Sequence, residues 1–300
     1  MRTTLHLILT AAALLAPAAA QEIRYRYDAA GRLMRAEYGG NRSIAYTYNT
    51  AGDLTRRAFQ SGAVAPGFVS VSSASFAASR PLAPGLIASG FGQNLATGLA
   101  ANTQATLPTT LLGTSVNIID SAGVTHAAPL FAVAPTQINY LVPTTVALGP
   151  ARIVVTTGAG ATVNGTADIA RTSPGLYTAN LQGTGVASAF ALTVDSTGAQ
   201  TQALVFDPNT LQAAPIALRA GEQVYLLLFG TGIRGFQQSV TATLGGEAVP
   251  VLGAVAQGQF AGLDQVNIGP LPAALAGRGE VSLVLTVDGQ AANSVTVVVR

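Results

Sequence analysis

The chain has 300 residues, 49% of them hydrophobic and only 9% charged, with 15 arginines, no lysine and no cysteine. A formal charge of +2 leaves no electrostatic footprint for nucleic acid, and the missing cysteines exclude a disulfide scaffold and a thiolate zinc site. Stability must then come from hydrophobic cores, and the length suggests about two domains with room for a smaller third unit. In chain order, Met1-Arg2-Thr3-Thr4 precedes an apolar run from Leu5 to Leu15, then Pro17 and Ala18-Ala19-Ala20 before Gln21-Glu22. That succession predicts a signal peptide over residues 1–20, cleaved after Ala20. The run is too short for the ~20 residues that cross a bilayer, and no cysteine follows it to take a lipid. The expected product is periplasmic, released or held at the cell surface.

Charge is spread unevenly: residues 21–60 hold seven arginines against four acids, and 61–300 hold seven against nine. A boundary is expected near Gln60, with a linker over 61–68. Before it, Tyr25-Arg26-Tyr27-Asp28-Ala29-Ala30-Gly31-Arg32-Leu33 is echoed 21 residues later by Tyr46-Thr47-Tyr48-Asn49-Thr50-Ala51-Gly52-Asp53-Leu54. Alternating strand residues that run into Asp or Asn and then Gly predict a hairpin in each copy. The segment resembles the YD repeats of Rhs-type proteins, with a later Tyr38; the second copy departs from the pattern at Asn49 and Asp53. In that family many repeats wind into a shell, which two copies cannot do. Tyr25, Tyr27, Tyr46 and Tyr48 have two readings, a stacking surface for sugars or cross-strand packing, and packing is favoured because a small sheet needs its aromatics for a core.

Beyond residue 68, short strands alternate with Gly, Pro, Asn and Thr, among them Ser115 to Ile119, Arg152 to Thr156, Val224 to Phe229 and Val281 to Val287. This pattern predicts β-sandwiches. Gln137-Ile138-Asn139, Arg152–Thr156 and Thr166–Ala170 recur as Gln265-Val266-Asn267, Val281–Thr286 and Asn293–Val299, and Phe91-Gly92 recurs as Phe229-Gly230. Two tandem sandwiches are expected, at 69–171 and 172–300. Their layout is similar to the immunoglobulin-like TIG or IPT domains. The ordered motifs Leu82-Ala83-Pro84-Gly85, Phe91-Gly92-Gln93-Asn94-Leu95, Ala128-Pro129-Leu130-Phe131, Pro135-Thr136-Gln137-Ile138-Asn139 and Pro174-Gly175-Leu176-Tyr177-Thr178 resemble the uncharacterised Solibacter-type C-terminal domain of exported acidobacterial proteins. That resemblance implies a terminal module and no known activity.

Gly230-Thr231-Gly232-Ile233-Arg234-Gly235 spells a dinucleotide fingerprint, yet loop and strand residues follow it where the fingerprint needs a helix. Asp120, Ser121 and His126 contain the residue types of a catalytic triad, but on one hairpin; an exposed strand histidine is the favoured reading. Asp195, Asp207, Glu222, Glu247, Asp264, Glu280 and Asp288 are read as isolated turn and strand-edge carboxylates. The most specific polar feature is the repeated amide pair, Gln137/Asn139 and Gln265/Asn267. It would be either a ligand-facing ladder or a structural tie, and its presence in both halves favours the tie. The sequence therefore predicts an all-β exported protein without catalytic residues, metal or cofactor. Its expected role is binding, adhesion or display, with a protein or polysaccharide of the envelope as partner; the alternative is a C-terminal sorting domain.

Overall fold

The structure, a computed structural model, describes residues 23–28, 30–38, 42–61, 67–104 and 106–300. The expected signal peptide and most of the expected linker lie outside the described residues. The described chain is all-β, with a single 3-10 turn at Ala273–Leu275. Among the described residues no helix is long and apolar enough to cross a membrane. The described chain divides into two compact units between Gly67 and Phe68.

In the first unit β1 (Ile23–Tyr27), β2 (Leu33–Tyr38), β3 (Arg42–Tyr48) and β4 (Leu54–Ser61) form an antiparallel meander in chain order. Its two outer turns are chemically alike. Asp28 Oδ1 accepts the N–H groups of Ala30 and Arg32 at 2.9 Å, and Asn49 Oδ1 accepts that of Asp53 at 2.8 Å. Gly31 and Gly52 take φ of 75° and 93°, which a residue with a Cβ adopts only at a cost. The copies are also tied to each other: the Tyr48 hydroxyl donates to the Leu33 carbonyl at 3.0 Å, and the Arg32 guanidinium lies 4.9 Å from the centre of the Tyr48 ring.

Residues 68–300 form two sandwiches on one plan. In the first, a sheet ordered β5 (Val69–Ser72), β6 (Ile87–Phe91), β11 (Gln137–Leu141), β10 (Leu130–Val133) and β7 (Ala100–Ala101) faces one ordered β13 (Thr162–Ile169), β12 (Gly149–Thr156), β8 (Ser115–Ile119) and β9 (Thr125–Ala127). In the second, β16 (Gln200–Leu204), β15 (Ala189–Val194), β17 (Gln223–Thr231), β21 (Asp264–Ile268) and β20 (Val251–Ala256) make the first sheet, with β14 (Gly175–Leu176) also on β17. The facing sheet is β19 (Glu247–Val249), β18 (Val240–Leu244), β22 (Gly279–Val287) and β23 (Gln290–Ala291), with β24 (Val295–Val299) on β22. The echo in sequence is an echo in register: Gln137 pairs with Phe91 and Gln265 with Phe229. A bulge falls at the same place in each, between Leu130 and Ala132 and between Val251 and Gly253.

Alternation explains each core. In β22 and β24 every second residue is buried, and Val281, Leu283, Leu285, Val295 and Val297 meet Leu226, Leu228 and Val266 of the opposite sheet. In the first sandwich Ile118, Ile153 and Val155 meet Leu130, Ile138 and Tyr140. Each such side chain contributes about 1.5–3 kcal/mol on burial, so a one-residue slip of register would be heavily penalised. A third cluster joins the sandwiches, with Ala74 and Ile87 of the first against Tyr177, Phe229 and Leu263 of the second.

Candidate functional site

The glycine-rich segment is a clasp between sandwiches. Thr231 and Gly230 pair with Gly175 and Leu176 of β14, and Ser173 donates its N–H to Gly232 O at 2.9 Å. A Cβ on Gly230 would lie 2.4 Å from Gly175 O, on Gly232 2.3 Å from Ser173 O, and on Gly235 2.5 Å from Arg171 O. Each glycine is therefore required by close approach of the connector between the sandwiches. The N–H groups that a phosphate would need are turned onto a carboxylate of the chain itself. Asp264 Oδ2 accepts Ile233 N–H at 2.7 Å and Arg234 N–H at 3.3 Å, while Arg234 Nε donates to Asp264 Oδ1 and Arg234 Nη2 to Leu263 O at 2.7 Å. Thr231, wholly buried, accepts Ile87 N–H at 2.9 Å and donates to Gly262 O at 2.8 Å.

Asp264 corrects the reading of the acids. It opens β21 as its first residue, yet it has no solvent exposure and is not isolated, being paired with Arg234, and burial raises its pKa against the lowering effect of Ile233 and Arg234. Arg234 lies 30 positions away, a separation that no local pattern announces. Asp195 and Asp207 do cap turns, accepting the N–H groups of Thr197 and Asn209 at 2.8 and 2.7 Å. Asp288 holds the loop before β18 by accepting the N–H groups of Gln237, Gln238 and Ser239 at 2.8–3.0 Å.

His126 is likewise not the exposed strand histidine expected. Its Nε2 lies 2.8 Å from Asp120 Oδ2 and its Nδ1 3.1 Å from Thr145 Oγ1, and its side chain is largely covered. An ionised Asp120 only accepts, so Nε2 carries a proton, and in the neutral imidazole Nδ1 then accepts from the Thr145 hydroxyl. The order Thr–His–Asp matches a general-base relay, and Ser121 takes no part, donating instead to Leu148 O at 2.7 Å. Acyl transfer also needs donors aimed at a developing oxyanion. Here the neighbouring N–H groups, from Ala122, Val124 and Ala147, point at Asp120, at 3.0, 3.0 and 2.9 Å. The network staples the β8–β9 hairpin to the loop before β12.

The Ala147 N–H leads the interactions that hold the Asp120 carboxyl at about 2, below its ordinary 3.8, with His126, Val124 and Ala122 adding to it. A depressed acid contributes stability that is present above pH 4 and is lost as the pH falls through 2. Asp120→Asn, which turns an NH2 group toward donors, is expected to lower Tm at pH 7. The gap to the parent, followed by circular dichroism, should close between pH 4 and pH 2.

The two amide pairs have the same internal bond. Gln137 Nε2 donates to Asn139 Oδ1 at 2.9 Å, and Gln265 Nε2 to Asn267 Oδ1 at 2.8 Å. Their surroundings differ. Gln137 and Asn139 are buried, and the Ser89 hydroxyl donates to Asn139 Oδ1 at 3.1 Å. Gln265 and Asn267 are half-exposed on the outer face of β21. Register places Leu227 of β17 beside Asn267, and Tyr225 of β17 beside Leu192 of β15 and thereby Gln202 of β16. This face was not legible, because its residues come from four strands whose pairing the sequence does not state; the only signal is polar residues at every second strand position. Of the tyrosines, Tyr48 is used in packing, whereas Tyr25 and Tyr27 are 52% and 61% exposed.

No protein-family model matches the chain, and no curated protein matches it. Among solved structures it is similar to the Bacteroides ovatus mixed-linkage glucan utilization locus SGBP-B in complex with a mixed-linkage heptasaccharide, at 14% identity and a TM-score of 0.31, over 93% of this chain and 58% of that one. The chain thus spans little more than half the length of that structure.

Proposed function

We propose that the chain is exported by its first 20 residues and acts as a non-catalytic binding or display protein of the cell envelope. Its partner is a polysaccharide, an envelope component or another protein. The same proposal takes the N-terminal hairpins as YD repeats and residues 69–300 as a Solibacter-type module of tandem immunoglobulin-like sandwiches. One observation carries it: the amide pair that the first sandwich buries is left half-exposed on the outer sheet face of the second. A side chain pair used only as a structural tie has no need of solvent. The test is a pull-down of the exported chain with envelope fractions and a glycan array, alongside assays for release of soluble sugars or peptides. Binding without release is expected; turnover abolished by replacing one carboxylate would contradict it.

A second reading has its own observation. Residues 68–300 form a compact unit distinct from the N-terminal sheet, as a transferable sorting module requires. Fused to an exported reporter, it should hold the reporter on cells even when solubilised envelope fragments are added in excess if its role is sorting, and release it to those fragments if its role is binding.

A further inference from the structure

Across β16, β15, β17 and β21 the outer face of the second sandwich presents Gln202, Leu192, Tyr225, Leu227, Asn267 and Gln265. All six are half-exposed or exposed, and none of the side chains that these strands direct to this face is charged. Apolar and amide groups are interleaved at the strand separation of about 4.8 Å, which is comparable with the advance of an extended sugar chain from one ring to the next. Tyr225 is held ready. A Cβ on Gly269 would stand 2.8 Å from the Tyr225 ring, so the ring lies across a glycine backbone, and its hydroxyl donates to Gln223 Oε1 at 2.7 Å. The amide pair spends one donor and one acceptor on itself. Gln265 Oε1 and Asn267 Nδ2, an acceptor and a donor, take no other partner among the described residues and point to the same side as the ring.

The chemistry selects among ligands. An acidic polymer or a nucleic acid needs cations, which this face lacks. A membrane surface needs a continuous apolar patch, which the amides interrupt. A neutral glycan offers what the face takes: an apolar ring face for Tyr225 and Leu227 to stack against, and hydroxyls that both donate and accept for the amides. A protein partner would be expected to bury a denser aromatic or arginine anchor. We infer that this face binds a neutral, extended polysaccharide chain, laid across β15, β17 and β21 with Tyr225 as its stacking platform. The inference rests on the binding-module reading and names its ligand class and its residues.

The test is affinity electrophoresis of the exported full chain through gels that contain a soluble β-glucan, a xylan, a galactomannan or, as acidic contrasts, alginate or polygalacturonate. The parent should be retarded by at least one neutral polymer and by neither acidic one. Tyr225→Ala and Asn267→Ala should each weaken retardation at least tenfold, with an unchanged circular dichroism spectrum. Arg152→Ala, on the outer face of the first sandwich, should leave it intact. Leu192→Arg supplies a variant that keeps side-chain bulk but adds charge, and it should also abolish retardation. If Tyr225→Ala and Leu192→Arg migrate as the parent does, or if only Tyr25→Ala and Tyr27→Ala lose binding, this face is not the site although the binding-module reading stands. Retardation by the acidic polymers alone overturns the inference in the same way. A parent that is retarded by none of the gels and captures no envelope material overturns both.

Discussion

Replacing Asp264 by Ala should lower the stability of the sandwich unit by about 3–5 kcal/mol, the usual cost of stripping one partner from a buried ion pair. For a unit of this size that corresponds to a fall in Tm of roughly 10 °C. The carboxylate satisfies Ile233 N–H, Arg234 N–H and the Arg234 guanidinium, and all three would be left facing a cavity. Removing both charges as Asp264→Ala with Arg234→Met should cost less than the single change, because the Ile233 and Arg234 N–H groups then lose their acceptor but no charge is left unpaired. Calorimetry of the four proteins in this cycle is the measurement. The pH dependence should run opposite to that of Asp120. Burial raises the Asp264 pKa above 3.8, so the folded state holds its proton more tightly than the unfolded chain does. Its contribution is fullest below pH 3.8 and declines as the pH rises through the folded value.

Gly232→Ala should have the second large effect, about 2–4 kcal/mol, from two sources that add. At φ 73° an alanine is strained, at a cost of about 1 kcal/mol. Its Cβ would also lie 2.3 Å from Ser173 O and 2.8 Å from Leu86 Cδ1, so the backbone of the connector must move, at a further cost of roughly 1–3 kcal/mol. Thr231 lies next in the chain and bridges Ile87 and Gly262, so displacement here should part the two sandwiches. Thermal unfolding that is a single transition in the parent should split in two. Gly246→Ala is the control: φ is 87° but nothing lies within 4 Å of the added Cβ, so only the conformational cost of about 1 kcal/mol remains.

The strands were legible because their code is local. Period-2 alternation in Gly279–Val287 and Val295–Val299 states which face is buried without reference to any other strand. The two Asx turns were legible for the same reason, each being complete within five residues from Asp28 to Arg32 and from Asn49 to Asp53. The repeat of Gln-x-Asn even carried the register, because both copies pair with the Phe-Gly strand of their own half. What the sequence did not disclose is long-range. Asp264 and Arg234, His126 and Thr145, and the face that joins Tyr225 to Asn267 come together only through sheet pairing, and each partner alone has an ordinary local explanation. The glycine fingerprint misleads for a related reason. Its spacing reports that backbone must be approached closely, but the approaching group is the connector at Ser173 and Gly175, which the motif itself cannot name.

The most direct test of the central claim is co-sedimentation of the exported chain with intact envelopes of the cells that encode it, with the supernatant assayed for released sugars and peptides. The chain should sediment with the envelopes, Tyr225→Ala should reduce the bound fraction, and no soluble fragments should accumulate. A chain that remains in the supernatant, or one that releases fragments in proportion to its concentration, would contradict it.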